Sequence, residues 1–308
     1  MARSAGCPQA GDRRQHLRHD APQGAVRPRT APGNDVPILR LLAALVLLAI
    51  AQPAPAADRF AVTLGTYLAL PPPGWDGHTP LAVTLFLHGA GADAAEIADD
   101  AEIAAAFAQG RVLLAAPEGL NRGWAAQGSP RAGNRDEVAF LDAVLADLAR
   151  RFPIDPARIR IAGFSLGASA ALDYACARGG RLAAVLTVSG VFWLPMPGAC
   201  AGGPTNWLSI HGRADTTWPL AGRVVRQQFR QGDRDGALSI VRGSWQCQAP
   251  RPAPWPAPWL AGMDCEASSC AGGRVVQACL HPDGHAIEAA WIAAFHAWAE
   301  AIPAAPKP

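Results

Sequence analysis

Lysine is all but missing from this chain: of 27 basic residues only Lys307 is a lysine, and the rest are arginine. Tyrosine and methionine are scarce, at two and three residues, and charged residues make up only 17% of the 308. Half of the chain is hydrophobic, so it is not a wholly disordered protein, which would combine high charge with few apolar residues. A length of 308 residues supports one substantial core rather than two full domains. The surplus of arginine comes with abundant alanine, glycine and proline. That reads as a compositional bias and lowers the weight of any single arginine. No C-x-x-C pair occurs, and this removes the commonest zinc and redox patterns. The most apolar run, residues 41–51, is eleven residues long, about half of what a membrane-spanning helix needs. The formal charge of +2 is also misleading, because residues 1–56 hold seven arginines against three aspartates. The remainder is net −2, which argues against nucleic acid or an anionic membrane surface as partner.

The first 56 residues read as an address. Arg40 precedes the apolar run, and Ala54-Pro55-Ala56 follows it as a signal-peptidase pattern, so cleavage is expected after Ala56. Residues 1–35 are rich in arginine and proline, lack periodicity and are expected to be unstructured; Val36 is a candidate true start. No stable membrane anchor is expected, and export to the periplasm or beyond is. Six cysteines follow the cleavage point: Cys176, Cys200, Cys247, Cys265, Cys270 and Cys279. An even number in an exported chain suggests up to three disulfides, with fifteen possible connectivities. The last four could also be read as a zinc site, but their spacing fits no common pattern.

Apolar strands and helical periodicities alternate from residue 57 onward. After an extended opening at 60–70, strands are expected at 81–87, 112–116, 158–162, 183–188, 207–210 and 274–280. Helices are expected at 94–109, 136–152, 166–178, 219–231 and 286–301. Residues 57–308 therefore read as one α/β domain, a mostly parallel sheet with helices on both faces. Residues 244–272 break the rhythm with tryptophans, prolines and cysteines, and are expected to be a loop-rich insertion.

Candidate chemistry sits at the ends of those strands. Gly163-Phe164-Ser165-Leu166-Gly167 fits G-x-S-x-G, a loose motif whose weight comes from its context. A strand precedes it, and a helix of small residues follows, as in a nucleophile elbow. The bland alternative for Ser165 is a helix N-cap. A serine nucleophile needs a base, and the base needs an orienting acid; with this elbow they follow the serine as acid, then histidine. His285, after the last expected strand, is the candidate base, with His281 as its competitor. Asp215, just past the strand at 207–210, is the candidate acid, and Asp233, Asp235 and Asp264 are weaker alternatives. The tetrahedral intermediate needs oxyanion donors. The backbone N–H groups of Leu166 and of Ala90, in the glycine-flanked loop 87–91, are the candidates. His88 in that loop reads as structural. Trp124, Trp193, Trp218, Trp255 and Trp259 are candidates for lining a substrate pocket, Trp218 being best placed.

LHGAG at 87–91, APEG at 116–119, the stretch 136–169 through GFSLGAS, LAAVLTVSG at 182–190, IHGRAD at 210–215 and PDGH at 282–285 together resemble the polyhydroxybutyrate depolymerase and feruloyl esterase family of secreted α/β hydrolases. The resemblance covers about residues 60–300. It implies the α/β-hydrolase fold, with Ser165, Asp215 and His285 as a triad. The departures are HGAG where relatives often have a cysteine after HG, the bulky Phe164 and Leu166 in the elbow, and Pro282-Asp283-Gly284 in place of a glycine-rich lead-in.

The expected activity is hydrolysis of carboxylic esters through an acyl-enzyme. The ester is of polyhydroxyalkanoate, feruloyl or short acyl type, small or polymeric, and the reaction requires neither cofactor nor metal. A serine peptidase or amidase on the same fold, or a non-catalytic secreted binding module, would be the alternatives.

Overall fold

A computed structural model describes residues 57–253 and 260–302. The signal segment and the cleavage point after Ala56 lie outside the described residues, as do Trp255 and Trp259. The chain opens with an antiparallel hairpin of β1 (Asp58–Val62) and β2 (Gly65–Leu70). Strand β3 (Leu81–Leu87) follows, and then two short helices, α1 (Ala94–Ala98) and α2 (Ala101–Gly110). A single helix was expected here. It is split because Asp93 and Asp100 each accept hydrogen bonds from backbone N–H groups ahead of them, so each starts its own helix.

Strand β4 (Val112–Pro117) precedes helix α3 (Glu137–Arg151). Asp136 caps α3 by accepting from the Ala139 N–H at 2.9 Å, and Arg150 and Arg151 occupy the last turn, where the helix dipole favours cations. Next come β5 (Ile154–Phe164), α4 (Leu166–Arg178), β6 (Ala184–Val188) and β7 (Asn206–Gly212).

The expected helix at 219–231 is not there. A two-stranded hairpin of β8 (Val224–Val225) and β9 (Phe229–Arg230) takes its place, and helix α5 (Arg234–Ser244) follows. Arg226 and Gln227 have positive φ, and a side chain on Gly222 would overlap the Gln231 carbonyl. The backbone therefore reverses where the apolar spacing alone suggested a continuous turn.

Residues 244–272 also differ from expectation. They contribute β10 (Arg251–Pro252) and β11 (Asp264–Ser269), which extend the sheet antiparallel to β12 (Val275–His281). The final helix is α6 (Ala289–Ala301). β11 is polar (DCEASS) and sits next to an edge, so it lacked the apolar run that marks a central strand.

The sheet order is β1-β2-β4-β3-β5-β6-β7-β12-β11-β10. Neighbours from β4 to β12 are parallel, and the flanking pairs are antiparallel. β3, β4, β6 and β7 are buried along their whole length, which is why they read as continuous apolar runs. One core lies under α3, α4 and α5 around Phe140, Leu172 and Trp207. The other lies under α2 and α6 around Phe107, Leu186 and Phe295. Three disulfides join Cys176 to Cys200, Cys247 to Cys270 and Cys265 to Cys279. The four cysteines of the alternative zinc reading are thus paired with one another. Cys265 and Cys279 face each other directly across β11 and β12.

Candidate active site

β5 turns into α4 at Ser165, whose backbone has φ 56° and ψ −120°. A non-glycine residue held there costs roughly 1–3 kcal/mol and persists only where its surroundings impose it. They do so by crowding. A methyl group on Gly163 would overlap the Gly167 carbonyl, one on Gly167 the Leu87 carbonyl, and one on Gly190 the carbonyl of Ser165 itself. The Ser165 N–H is tied to the Val188 carbonyl at 2.9 Å. The Ser165 side chain makes no capping hydrogen bond to α4. The N-cap role is therefore not the one this serine fills, and its hydroxyl is presented at a helix N-terminus, where the dipole favours developing negative charge.

Asp215 and His285, 70 residues apart, meet through a 2.7 Å contact between Asp215 Oδ2 and His285 Nδ1. The carboxylate is fully buried. Its other oxygen accepts from the backbone N–H groups of Thr217, at 2.9 Å, and Trp218, at 2.7 Å. Such an acceptor holds the proton on Nδ1 and leaves Nε2 as the basic nitrogen. The His285 ring packs 4.8 Å from that of Phe164, the residue before the serine.

His211 lies beside Asp215, its Nε2 3.6 Å from Asp215 Oδ2. Burial lowers its pKa, and its Nε2 donates to the Trp218 carbonyl at 2.7 Å. The rival candidates are occupied elsewhere. His281 is buried against Trp291, Asp233 caps α5, Asp235 pairs with Arg234, and Asp264 pairs with Arg213.

Ser165, Leu166 and Ala90 line one cleft of about 470 Å³, together with Trp193 and Trp218. The two indoles meet edge to face at 5.2 Å. The loop carrying Ala90 is stiffened from both sides. The Gly91 N–H donates to the Arg122 carbonyl at 2.8 Å, and Trp124 Nε1 donates to the His88 carbonyl at 2.8 Å. His88 is buried, its pKa is lowered by burial, and its Nε2 accepts the Gly119 N–H at 3.0 Å. Trp124 is therefore misassigned as a pocket residue. It has no exposed surface and does not line the cleft, so it supports the loop from behind. A second cavity of about 480 Å³, beside Leu70 and Phe107, holds no nucleophile. Among the described residues no group of three or more His, Cys, Asp or Glu is placed to hold a metal ion.

Sequence reasoning passed over Gly190, Gly212 and His211. Their signal was present in VSG and IHG, short strand-end motifs whose first purpose is to let backbones approach.

The solved acetyl xylan esterase from Aspergillus awamori superposes with a TM-score of 0.55 over 76% of this chain and 95% of that one, at 12% identity. This is an α/β-hydrolase fold. An S-formylglutathione hydrolase from Agrobacterium tumefaciens gives the same fold with a TM-score of 0.51 over 80% and 95%, at 13% identity. In sequence, residues 137–234 match the Phospholipase/Carboxylesterase family model. The chain is similar to feruloyl esterase C of Emericella nidulans, at 33% identity over 52% of this chain and 58% of that one. It is also similar to feruloyl esterase D of Neurospora crassa, at 32% over 38% of each. The chain thus spans less than two thirds of the length of the curated relatives it matches.

Proposed function

We propose that the protein is an exported serine esterase that hydrolyses carboxylic esters through Ser165, His285 and Asp215. The observation that carries this reading is the Asp215–His285 hydrogen bond at 2.7 Å, on loops adjoining a cleft in which Ser165 is held at a strained elbow. His285 takes the Ser165 proton as the hydroxyl attacks the ester carbonyl, and Asp215 stabilises the resulting imidazolium. The oxyanion is met by the N–H groups of Ala90 and Leu166. The alcohol leaves with the proton from His285, and water, deprotonated by the same residue, releases the acid from the acyl-enzyme. The names of the similar proteins favour ester over amide substrates. Export is supported by the three disulfides, which persist in oxidising compartments. Among the described residues no helix is long and apolar enough to cross a membrane.

The test is labelling by a fluorophosphonate probe, with the modified residue located by mass spectrometry. Labelling is expected at Ser165, absent in Ser165→Ala and strongly reduced in His285→Ala. Folded protein that takes up no label would overturn the assignment.

A further inference from the structure

The cleft beside Ser165 is lined by three arginines, Arg131, Arg223 and Arg226, and among the described residues lining it none is acidic. Several arginines elsewhere are neutralised locally: Arg122, Arg135, Arg158 and Arg242 each pair with a carboxylate. The three in the cleft have no such partner among the described residues. Two are held by neutral backbone instead. Arg131 Nη1 donates to the Leu120 carbonyl at 3.2 Å, and Arg223 Nε donates to the Thr217 carbonyl at 2.7 Å. Each bond uses one N–H and leaves the rest of the planar fork open, the geometry that suits a carboxylate. Room for Arg131 comes from Gly123, where a Cβ would lie 2.7 Å from the Arg131 Nε.

A second observation comes from the cleft wall. Trp193 is 5% exposed and lines the cleft, and its Nε1–H is buried without a hydrogen-bond partner. A buried donor left unsatisfied is costly, and a side-chain shift that let a bound acceptor reach it would offset that cost. Three uncompensated cations in a concavity also focus a positive potential, in a protein whose residues 57–308 are net −2.

We propose that this cleft selects esters carrying a free carboxylate away from the scissile bond, bound by Arg131, Arg223 and Arg226 with the Trp193 indole N–H as a further donor. The inference rests on the esterase reading for its consequence but not for its binding site, and the two can fail separately.

The experiment uses two substrate pairs matched in shape and differing in charge. The charge is on the acyl side in monomethyl adipate against methyl hexanoate, and on the alcohol side in γ-acetoxybutyrate against butyl acetate. The anionic member of at least one pair is expected to have a kcat/KM about tenfold higher. That ratio should collapse in Arg223→Gln/Arg226→Gln and shrink with added sodium chloride. It should hold in Arg150→Gln, which removes an arginine charge outside the cleft. In parallel, calorimetry on Ser165→Ala protein reads binding of adipate against hexanediol without any turnover. Adipate binding that is lost in the double arginine variant supports the inference even if no ester is cleaved, in which case the esterase reading alone fails. Neutral esters preferred in both pairs, or an anionic preference indifferent to the arginines and to salt, would overturn it.

Discussion

The backbone N–H of Ala214 donates to the carbonyl of Asp283 at 3.1 Å, joining the loop that carries the acid to the loop that carries the histidine. A second strap, from the Arg213 N–H to the His281 carbonyl at 2.9 Å, lies just beneath it. The two side chains are therefore registered by main chain before they meet each other.

Gly212 makes that approach possible, since a methyl group there would overlap the carbonyl oxygens of Asp283 and Gly284. Gly212→Ala should push the loops apart and lower kcat by about 100-fold, the penalty of an ångström-scale misplacement. Circular dichroism should show retained secondary structure, and steady-state kinetics should show the loss chiefly in kcat.

Asp215→Asn keeps the shape of the side chain and its contacts with the Thr217 and Trp218 N–H groups, but reverses which His285 tautomer is favoured. A kcat loss on the order of 10⁴-fold is expected, with KM little changed. A loss under tenfold would mean that another group orients the imidazole.

His296, packed between Phe107 and the end of α2, is held neutral by burial with its pKa pushed down to about 3 from 6.5. The unfolded chain protonates this group below pH 6.5 and the folded chain does not, so its contribution to stability is present above 6.5 and is lost as pH falls towards 3. Asp173 works in the opposite sense. Burial raises its carboxyl to about 7, so its contribution is fully present below 3.8 and is lost as pH rises through 7. The clean readout is a comparison between proteins. Relative to the wild type, His296→Gln should flatten the pH dependence of the unfolding free energy, read from urea titrations, by about 1 kcal/mol per pH unit between pH 6 and 4. Parallel curves for the two proteins would refute the assignment.

Cys265 and Cys279, 14 positions apart, close a loop immediately before the segment that carries His285. Replacing both with serine should cost about 3 kcal/mol, the usual effect of a bridge closing a loop of this size. Thermal melts of the double variant should show the loss, and kcat near the wild-type value at temperatures where it stays folded.

The fold was largely legible because its central strands are buried on both faces and so carry unbroken apolar runs, and because Asp136 caps α3 and Pro153 and Gly179-Gly180 end α3 and α4. The candidates Ser165, Asp215 and His285 stood out in the sequence for a related reason: each follows a largely apolar strand. What sequence could not convey was side-chain-independent geometry. The hairpin at 224–230 depends on positive φ at Arg226 and Gln227, residues that do not advertise it. β11 is defined by its partner strand rather than by its own polar composition. Trp124 looked like a pocket residue because nothing in its neighbours reveals that its indole points back to the His88 carbonyl. The cleft arginines were hidden by abundance, since one among 26 has no significance until its lack of a carboxylate partner is seen.

The bridges of the C-terminal part interlace: Cys247 reaches past Cys265 to Cys270, and Cys265 reaches past Cys270 to Cys279. A chain oxidised in the order in which its thiols emerge would join Cys247 to Cys265 and Cys270 to Cys279, two bonds that are both foreign to the finished molecule. Where thiols pair in that order, reaching the finished connectivity calls for exchange chemistry that can undo early bonds, and the yield of native protein should then follow isomerase supply rather than oxidant supply.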